Sequence, residues 1–235
     1  MNEIDVLKRE VKALVFDQYG TVVDMQTGLT TVVAAYFAEK GATTDPHRFV
    51  TWWRRTHFEN SMIDSLCDRG HTTYREIGHR SVDFALDRAG IAHSSAEVEM
   101  LVAAIERLEP FPEVPDALHR LKRKYRLAIL SNGDPDMLEN AKRHIGFEFD
   151  ETISVQAAGY FKPHYRTYEV AAEILGLDRS SILFVANHTF DCTGAKSFGM
   201  RTAFIDRRKR PYGQTPHQPD LIVSDMGELA DLMAG

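Results

Sequence analysis

Asp17 ends an apolar run, Ala13-Leu14-Val15-Phe16, and a tight Tyr19-Gly20-Thr21 turn follows at once. A carboxylate at the end of a buried strand is costly to desolvate unless something nearby pairs with it or uses it. Three other apolar runs end in residues of the same kind. The run 127–130 leads into Ser131 and Asn132, the run 152–155 is followed by Lys162 before Pro163, and the run 182–186 leads into Asn187, His188 and Asp191. Carboxylates, lysine, hydroxyls and imidazole are the types that attack as nucleophiles, move protons or hold metals. Each also has a plain structural explanation. Asp134 before Pro135 suits a helix N-cap, Lys162 a surface lysine, Asp191 a cap on the helix after it, and His188 a hydrogen-bonded loop residue. What argues for chemistry is that all four sets fall on one edge of one predicted sheet.

That sheet follows from the elements between these residues. Apolar runs at 13–16, 127–130, 152–155, 182–186, 202–205 and 221–223 are separated by helical patterns. Continuous Val, Ile, Leu and Phe runs of this kind are strands covered on both faces, hence an α/β fold with a parallel, Rossmann-like sheet. In such sheets ligands bind beyond the carboxyl ends of the strands. From 25 to 108 no strand-like run occurs, only helical periodicity at 29–41, 46–66, 74–90 and 95–108, with Gly41 and Gly90 placed to end two of the helices. The spacing predicts a helical insertion at 25–108 within a core formed by 1–24 and 109–235. Pro110, Pro112 and Pro115 at the return suit a stiff hinge.

Composition narrows the setting. The chain has 235 residues, 43% of them hydrophobic, and a net charge of −6, so no global charge attracts nucleic acid or an anionic membrane. The basic run Arg207-Arg208-Lys209-Arg210 reads as a solvated loop before Pro211. Cys67 and Cys192 are far apart, which argues against a disulfide scaffold or zinc site and suits a reducing cytoplasm. The charged N-terminal stretch lacks the apolar segment of a signal peptide, and no run is long enough to span a bilayer.

The motifs "FDQYGT", "LAILSNG", "YFKP" and "ILFVANHTFDCTGA", in this order, resemble the haloacid dehalogenase superfamily over nearly the whole chain. The insertion after the first motif is similar to that superfamily's cap domain. Most members are magnesium-dependent phosphotransferases whose first motif is Asp-x-Asp, the second Asp acting as general acid; here that position is Tyr19. The fourth motif usually offers two acids and here offers Asp191 alone. Those residues suit displacement at carbon better, because a carboxylate that expels halide needs neither a metal nor a proton donor. The resemblance therefore implies a metal-independent, cofactor-free (S)-2-haloacid dehalogenase turning short 2-haloalkanoates into 2-hydroxy acids through an aspartyl ester. A magnesium-dependent phosphatase is the alternative.

The same resemblance implies roles. Asp17 is the nucleophile, and Lys162 offsets the paired negative charges. Thr21 and Ser131 hydrogen-bond the nucleophile or the substrate carboxylate, which the backbone N–H groups of Gln18 and Tyr19 help to hold. Tyr168 lies near the lysine. Arg54 on the insertion binds the departing halide with Asn132 and Phe190, since arginine stays charged and the ring edge is weakly positive. Tyr19, Phe58 and Tyr74 line an apolar wall or are ordinary core. Where the family has a serine stands Ala186, so the water falls to Asp191, His188 or Asn187. The resemblance also implies a homodimer.

Overall fold

The computed structural model describes residues 3–235; Met1 and Asn2, the start of the charged N-terminal stretch, lie outside them. Ala13–Phe16 (β1) lies at the centre of the sheet with all four residues buried, as a strand covered on both faces must be. It pairs in parallel with Arg126–Ser131 (β2) on one side and Ile182–Ala186 (β4) on the other. Glu151–Ser154 (β3) extends the sheet beyond β2, and Arg201–Ile205 (β5) and Leu221–Val223 (β6) extend it beyond β4. The order β3-β2-β1-β4-β5-β6 has one reversal, between β1 and β4. There the crossovers diverge to opposite edges and leave a crevice beyond the carboxyl ends of those strands. Asp17 follows β1 and Asn187 follows β4, so both open into it.

The α/β expectation holds, and only strand ends move: β3 begins and ends one residue earlier than its apolar run. A short helix, Glu3–Glu10 (α1), precedes β1 and buries Leu7. Ile4, Leu7 and Val11 recur at i, i+3 and i+7 and form its short apolar stripe, which the surrounding charges obscure.

Between β1 and β2 the chain forms the cap: Met25–Lys40 (α2), Pro46–Cys67 (α3), Tyr74–Arg88 (α4) and Ser95–Ala103 (α5), the last extended by a 3₁₀ turn at Ala104–Arg107. Each helix start is written in the sequence. Asp24, Asp45, Thr73 and Ser94 each accept a bond from a first-turn backbone N–H, and Glu97 completes a capping box with Ser94. Gly41, at φ 64°, ends α2. Trp53 is fully buried within the cap. The two crossings to the core are zipped together: Asp24 N donates to Glu109 O at 3.0 Å and Phe111 N to Val22 O at 3.1 Å. Of the three prolines at this return, Pro115 lies in the first turn of Val114–Lys122 (α6). The core is completed by Pro135–Ile145 (α7), Tyr165–Leu175 (α8), Thr189–Phe198 (α9) and Met226–Ala234 (α10).

A titratable group is locked into the cap. His57 on α3 is buried, its ring stacked on Tyr74 at 3.9 Å and its Nε2 3.0 Å from Tyr74 O. Burial pushes the imidazole from 6.5 down to about 3, against the favourable bond to the carbonyl. The unfolded chain therefore takes up this proton first, so the stabilisation is complete above about 6.5 and is lost as pH falls towards 3. In urea unfolding, the native protein should lose more stability between pH 7 and pH 5 than His57→Asn does, although the variant starts lower. Equal losses would assign the acid sensitivity to other groups.

Candidate active site

Lys162 is at the centre. It precedes α8, is buried, and spends all three ammonium protons: on Asp17 Oδ1 at 2.8 Å, Asp191 Oδ2 at 2.7 Å and Leu130 O at 2.9 Å. The C-terminal ends of β1 and β2 and the first turn of α9 thus share one cation. Asp191 does not cap α9; its other oxygen accepts from Tyr168 OH at 2.6 Å. The two carboxylates differ in access. Asp191 is fully buried, whereas Asp17 reaches a cavity of about 600 Å³.

Asp17 Oδ2 accepts from Thr21 Oγ1 at 2.7 Å, and Thr21 Oγ1 in turn accepts from Asn187 N at 2.9 Å. That second bond fixes the hydroxyl as donor to Asp17. His188 Nδ1 lies 3.4 Å from the same Oδ2, and no hydrogen bond engages it. Burial pushes the Asp17 carboxyl up, but the Lys162 charge and then His188 outweigh it and hold it well below the usual carboxylate range. Asp191 is raised: burial outweighs Lys162, and the charge of Asp17 adds to it. Burial lowers Lys162, yet the two carboxylates prevail and keep it protonated. Burial pushes Tyr168 well above its ordinary value, so its phenol stays a donor.

Asp17, Tyr19, Arg54, Phe58, Asn132, Lys162, Asn187, His188 and Phe190 line that one cavity, and Tyr74 joins them. Asn132 Oδ1 also accepts from Lys162 N at 3.0 Å, which ties the β2 turn to the lysine loop. Gln18, Thr21, Ser131, Tyr168 and Asp191 are buried behind the wall. Ser131 Oγ accepts from Gly133 N at 3.2 Å, and Gln18 O accepts from the N–H groups of Thr21, Val22 and Val23. The wall is aromatic on one side, with Tyr19 stacked on Tyr74 at 5.5 Å and Phe58 against Phe190 at 4.2 Å. Gly20, at φ 89°, threads between His188 and Arg54; a Cβ there would meet them at 3.2 and 3.3 Å.

Arg54 descends from α3, and its Nη1 donates to Gln26 Oε1 at 2.9 Å, a neutral partner. Burial, and next the charge of Arg208, push its guanidinium down to about 10. It is still a cation at neutral pH. The neighbouring Arg55 is instead paired on the surface with Glu59 at 2.7 Å.

Three residues acquire roles that sequence reasoning missed. Gln26 holds Arg54. Arg207, read as part of a solvated loop, instead donates Nη2 to Thr21 O at 2.9 Å, pairs with Glu113 at 2.7 Å and lies over the Phe111 ring at 3.6 Å. It fastens the nucleophile turn to the hinge. Asp134 starts α7, yet its side chain leaves that helix uncapped: it crosses to the cap and accepts from Tyr74 N at 2.8 Å and Arg75 N at 3.0 Å. A core carboxylate therefore holds the start of α4, and with it the Tyr74 wall.

No helix among the described residues is long and apolar enough to cross a membrane. The model of the haloacid dehalogenase-like hydrolase family matches residues 11–199, so the chain belongs to that family. It is 33% identical to the (S)-2-haloacid dehalogenase of Pseudomonas sp. strain YL, over 94% of each chain. It is 31% identical to haloacetate dehalogenase H-2 of Moraxella sp. strain B, over 96% of this chain and 99% of the relative. The solved L-2-haloacid dehalogenase of Xanthobacter autotrophicus with chloropropionic acid covalently bound superposes with a TM-score of 0.83 at 28% identity, covering 96% of this chain and 99% of that one.

Two outcomes test the geometry. Lys162→Met strands two buried carboxylates and should cost about 3–5 kcal/mol in urea unfolding at pH 7. Unpaired, both carboxyls take raised folded pKa values, so the deficit should shrink as pH falls from 7 to 5; a pH-independent deficit would mean the charges were not coupled through this lysine. Asp134→Ala removes the acceptor of two backbone N–H groups, one buried and one partly buried, and should cost about 1–3 kcal/mol, with Asp134→Asn losing less. An Ala variant as stable as the native protein would show that α4 starts without it.

Proposed function

We propose that the protein hydrolyses short 2-haloalkanoic acids, haloacetates and 2-halopropionate among them, to 2-hydroxy acids. The observation that carries this reading is one buried ammonium between two carboxylates of which only Asp17 meets the cavity. An Asp17 oxygen attacks C2 with inversion, forming a C–O ester bond while the C–halogen bond breaks and halide leaves with the electron pair. Arg54, Asn132 and Phe190 form the cradle for that halide. Water then adds at the Asp17 carboxyl carbon, the acyl C–O bond breaks, and the 2-hydroxy acid departs with a proton released overall. His188 lines the cavity beside the Asp17 carboxyl that water must attack, which supports it as the group that takes the proton from water. Asn187 fixes Thr21 and lines the same wall. Both oxygens of Asp191 are engaged, which supports a role for it through Lys162 and Tyr168.

The phosphatase alternative fits the donors poorly. A magnesium ion would have to displace Lys162 from between the carboxylates, and the described residues offer no cluster of three His, Cys, Asp or Glu to hold one. Tyr19, buried with its phenol pushed well above its ordinary value, occupies the position where a phosphatase carries its acid. The same reading divides the chain into a core of 1–24 and 109–235 and a cap of 25–108, which the zipped crossings support. It places the protein in the cytoplasm, supported by two unpaired cysteines, and as a homodimer, supported by Ile63 and Leu66 exposed near the end of α3.

Chloroacetate and (S)-2-chloropropionate should release halide in the presence of chelator, and a single turnover of excess protein in ¹⁸O water should label the peptide carrying Asp17. Label in the product acid alone would mean direct attack by water. Silence towards every haloacid, with phosphate release on adding Mg²⁺, would install the phosphatase instead.

A further inference from the structure

The cavity is larger and more positive than a two- or three-carbon acid requires. At about 600 Å³ it lies in the range that encloses drug-sized ligands. Five arginines line it, and two are accounted for by acids: Arg55 by Glu59 and Arg207 by Glu113. Arg54 has neutral Gln26. Among the described residues the guanidiniums of Arg208 and Arg210 at the rim have no hydrogen-bond or ion-pair partner; Arg210 is tied to Asp206 only through its backbone N–H. The acids in the wall are committed as well. Asp17 is held by Lys162 and Thr21, and Asp24 caps α2. Arg208 and Arg54 line the same cavity, and the charge of Arg208 adds to burial in pushing the Arg54 guanidinium down. In the mechanism proposed above a short monocarboxylate and its halide engage Asp17 and Arg54, which leaves Arg208 and Arg210 unanswered.

We infer that the preferred substrates are 2-halo acids bearing a second, distal carboxylate, anchored at the rim by Arg208. The inference rests on the dehalogenase reading above. The reaction is unchanged in kind: Asp17 displaces halide from C2, and water releases the 2-hydroxy dicarboxylate, halide and a proton. The distal carboxylate takes no part in the chemistry. It accepts charge-assisted hydrogen bonds from Arg208, with Arg210 adding charge beside it. Such bonds discriminate against a neutral analogue of the same length by about tenfold or more.

The test compares kcat/KM for 2-chlorosuccinate and 2-chlorobutanoate, which share chain length and halogen, with chloroacetate as reference. The native protein should favour the dicarboxylate by about tenfold or more. Arg208→Gln should collapse that ratio, and Arg208→Lys should restore part of it. Because Arg208 is exposed, neither change should disturb folding. A native ratio near one, a ratio untouched by Arg208→Gln, or a parallel loss on both substrates, which is steering alone, each overturns the inference while chloroacetate turnover leaves the dehalogenase reading standing. Halide release from none of the three removes both.

Discussion

Everything in this molecule that bears on chemistry depends on one ammonium group buried between two carboxylates. Burying three ions costs several kcal/mol for each unless geometry and extra hydrogen bonds repay it. Lys162 meets the condition by spending every proton on a defined oxygen. The sheet makes this arrangement available, because β1 lies between β2 and β4 and their carboxyl ends converge on one point. Two carboxylates and one lysine still leave a net negative charge in the interior. Thr21 and Tyr168 share it by donating to opposite members of the pair. In the proposed mechanism this surplus is chemically useful, since Asp17 stays ionised without a base to deprotonate it. Forming the ester removes its charge, and with it one of the influences that raise Asp191. Lys162 is then left to Asp191 alone, and the buried site becomes electrically balanced at the covalent stage.

The cap is positioned with comparable economy. Its crossings are paired backbone to backbone, so it cannot rotate freely about a single strand. Core groups reach into it elsewhere as well: Asp134 holds the start of α4, Asn140 donates to Glu106 at 2.7 Å, and the loop before Lys162 bonds α3 through Phe161 N to Ser65 Oγ at 2.7 Å. The loop carrying the lysine is therefore fastened to the helix carrying Arg54. Displacement at carbon needs attacking and leaving groups in line, and a shared anchor relates the position of Asp17 to that of the halide cradle.

Much of this was legible in the chain. The strand runs at 13–16 and 182–186 coincide with β1 and β4, because a strand buried on both faces has an unbroken apolar signature, and the run at 221–223 coincides with the edge strand β6. Asp17, Lys162 and Asp191 were legible because their places relative to strand ends matter more than their neighbours. Other residues were not legible, each for a physical reason. Asp134 reads equally well as a cap for α7, and only the fold shows that the nearer N–H groups belong to α4. Gln26 meets Arg54 across 28 positions of sequence, a pairing no local period encodes. Arg207 sits in a run that looks solvated by composition, yet its guanidinium lies over the Phe111 ring while donating to a carbonyl. Long cationic side chains can satisfy both environments, so a charge run conceals which of its members are structural.

The choice of nucleophile follows from the same constraint. Asp17 and Asp191 lie at nearly equal distances from Lys162, so the cation does not distinguish them. What distinguishes them is where their remaining oxygens point. Asp191 turns its second oxygen inward to a phenol whose pKa burial pushes well above its ordinary value, and a fully buried side chain offers no path to a substrate. Asp17 turns its second oxygen to the Thr21 hydroxyl and to the His188 imidazole, 3.4 Å away at the cavity wall. Its pKa is held low while that of Asp191 is raised. One shared lysine thus supports two carboxylates of opposite character: at Asp17 the charges of Lys162 and His188 outweigh burial, whereas at Asp191 burial and the charge of Asp17 outweigh Lys162.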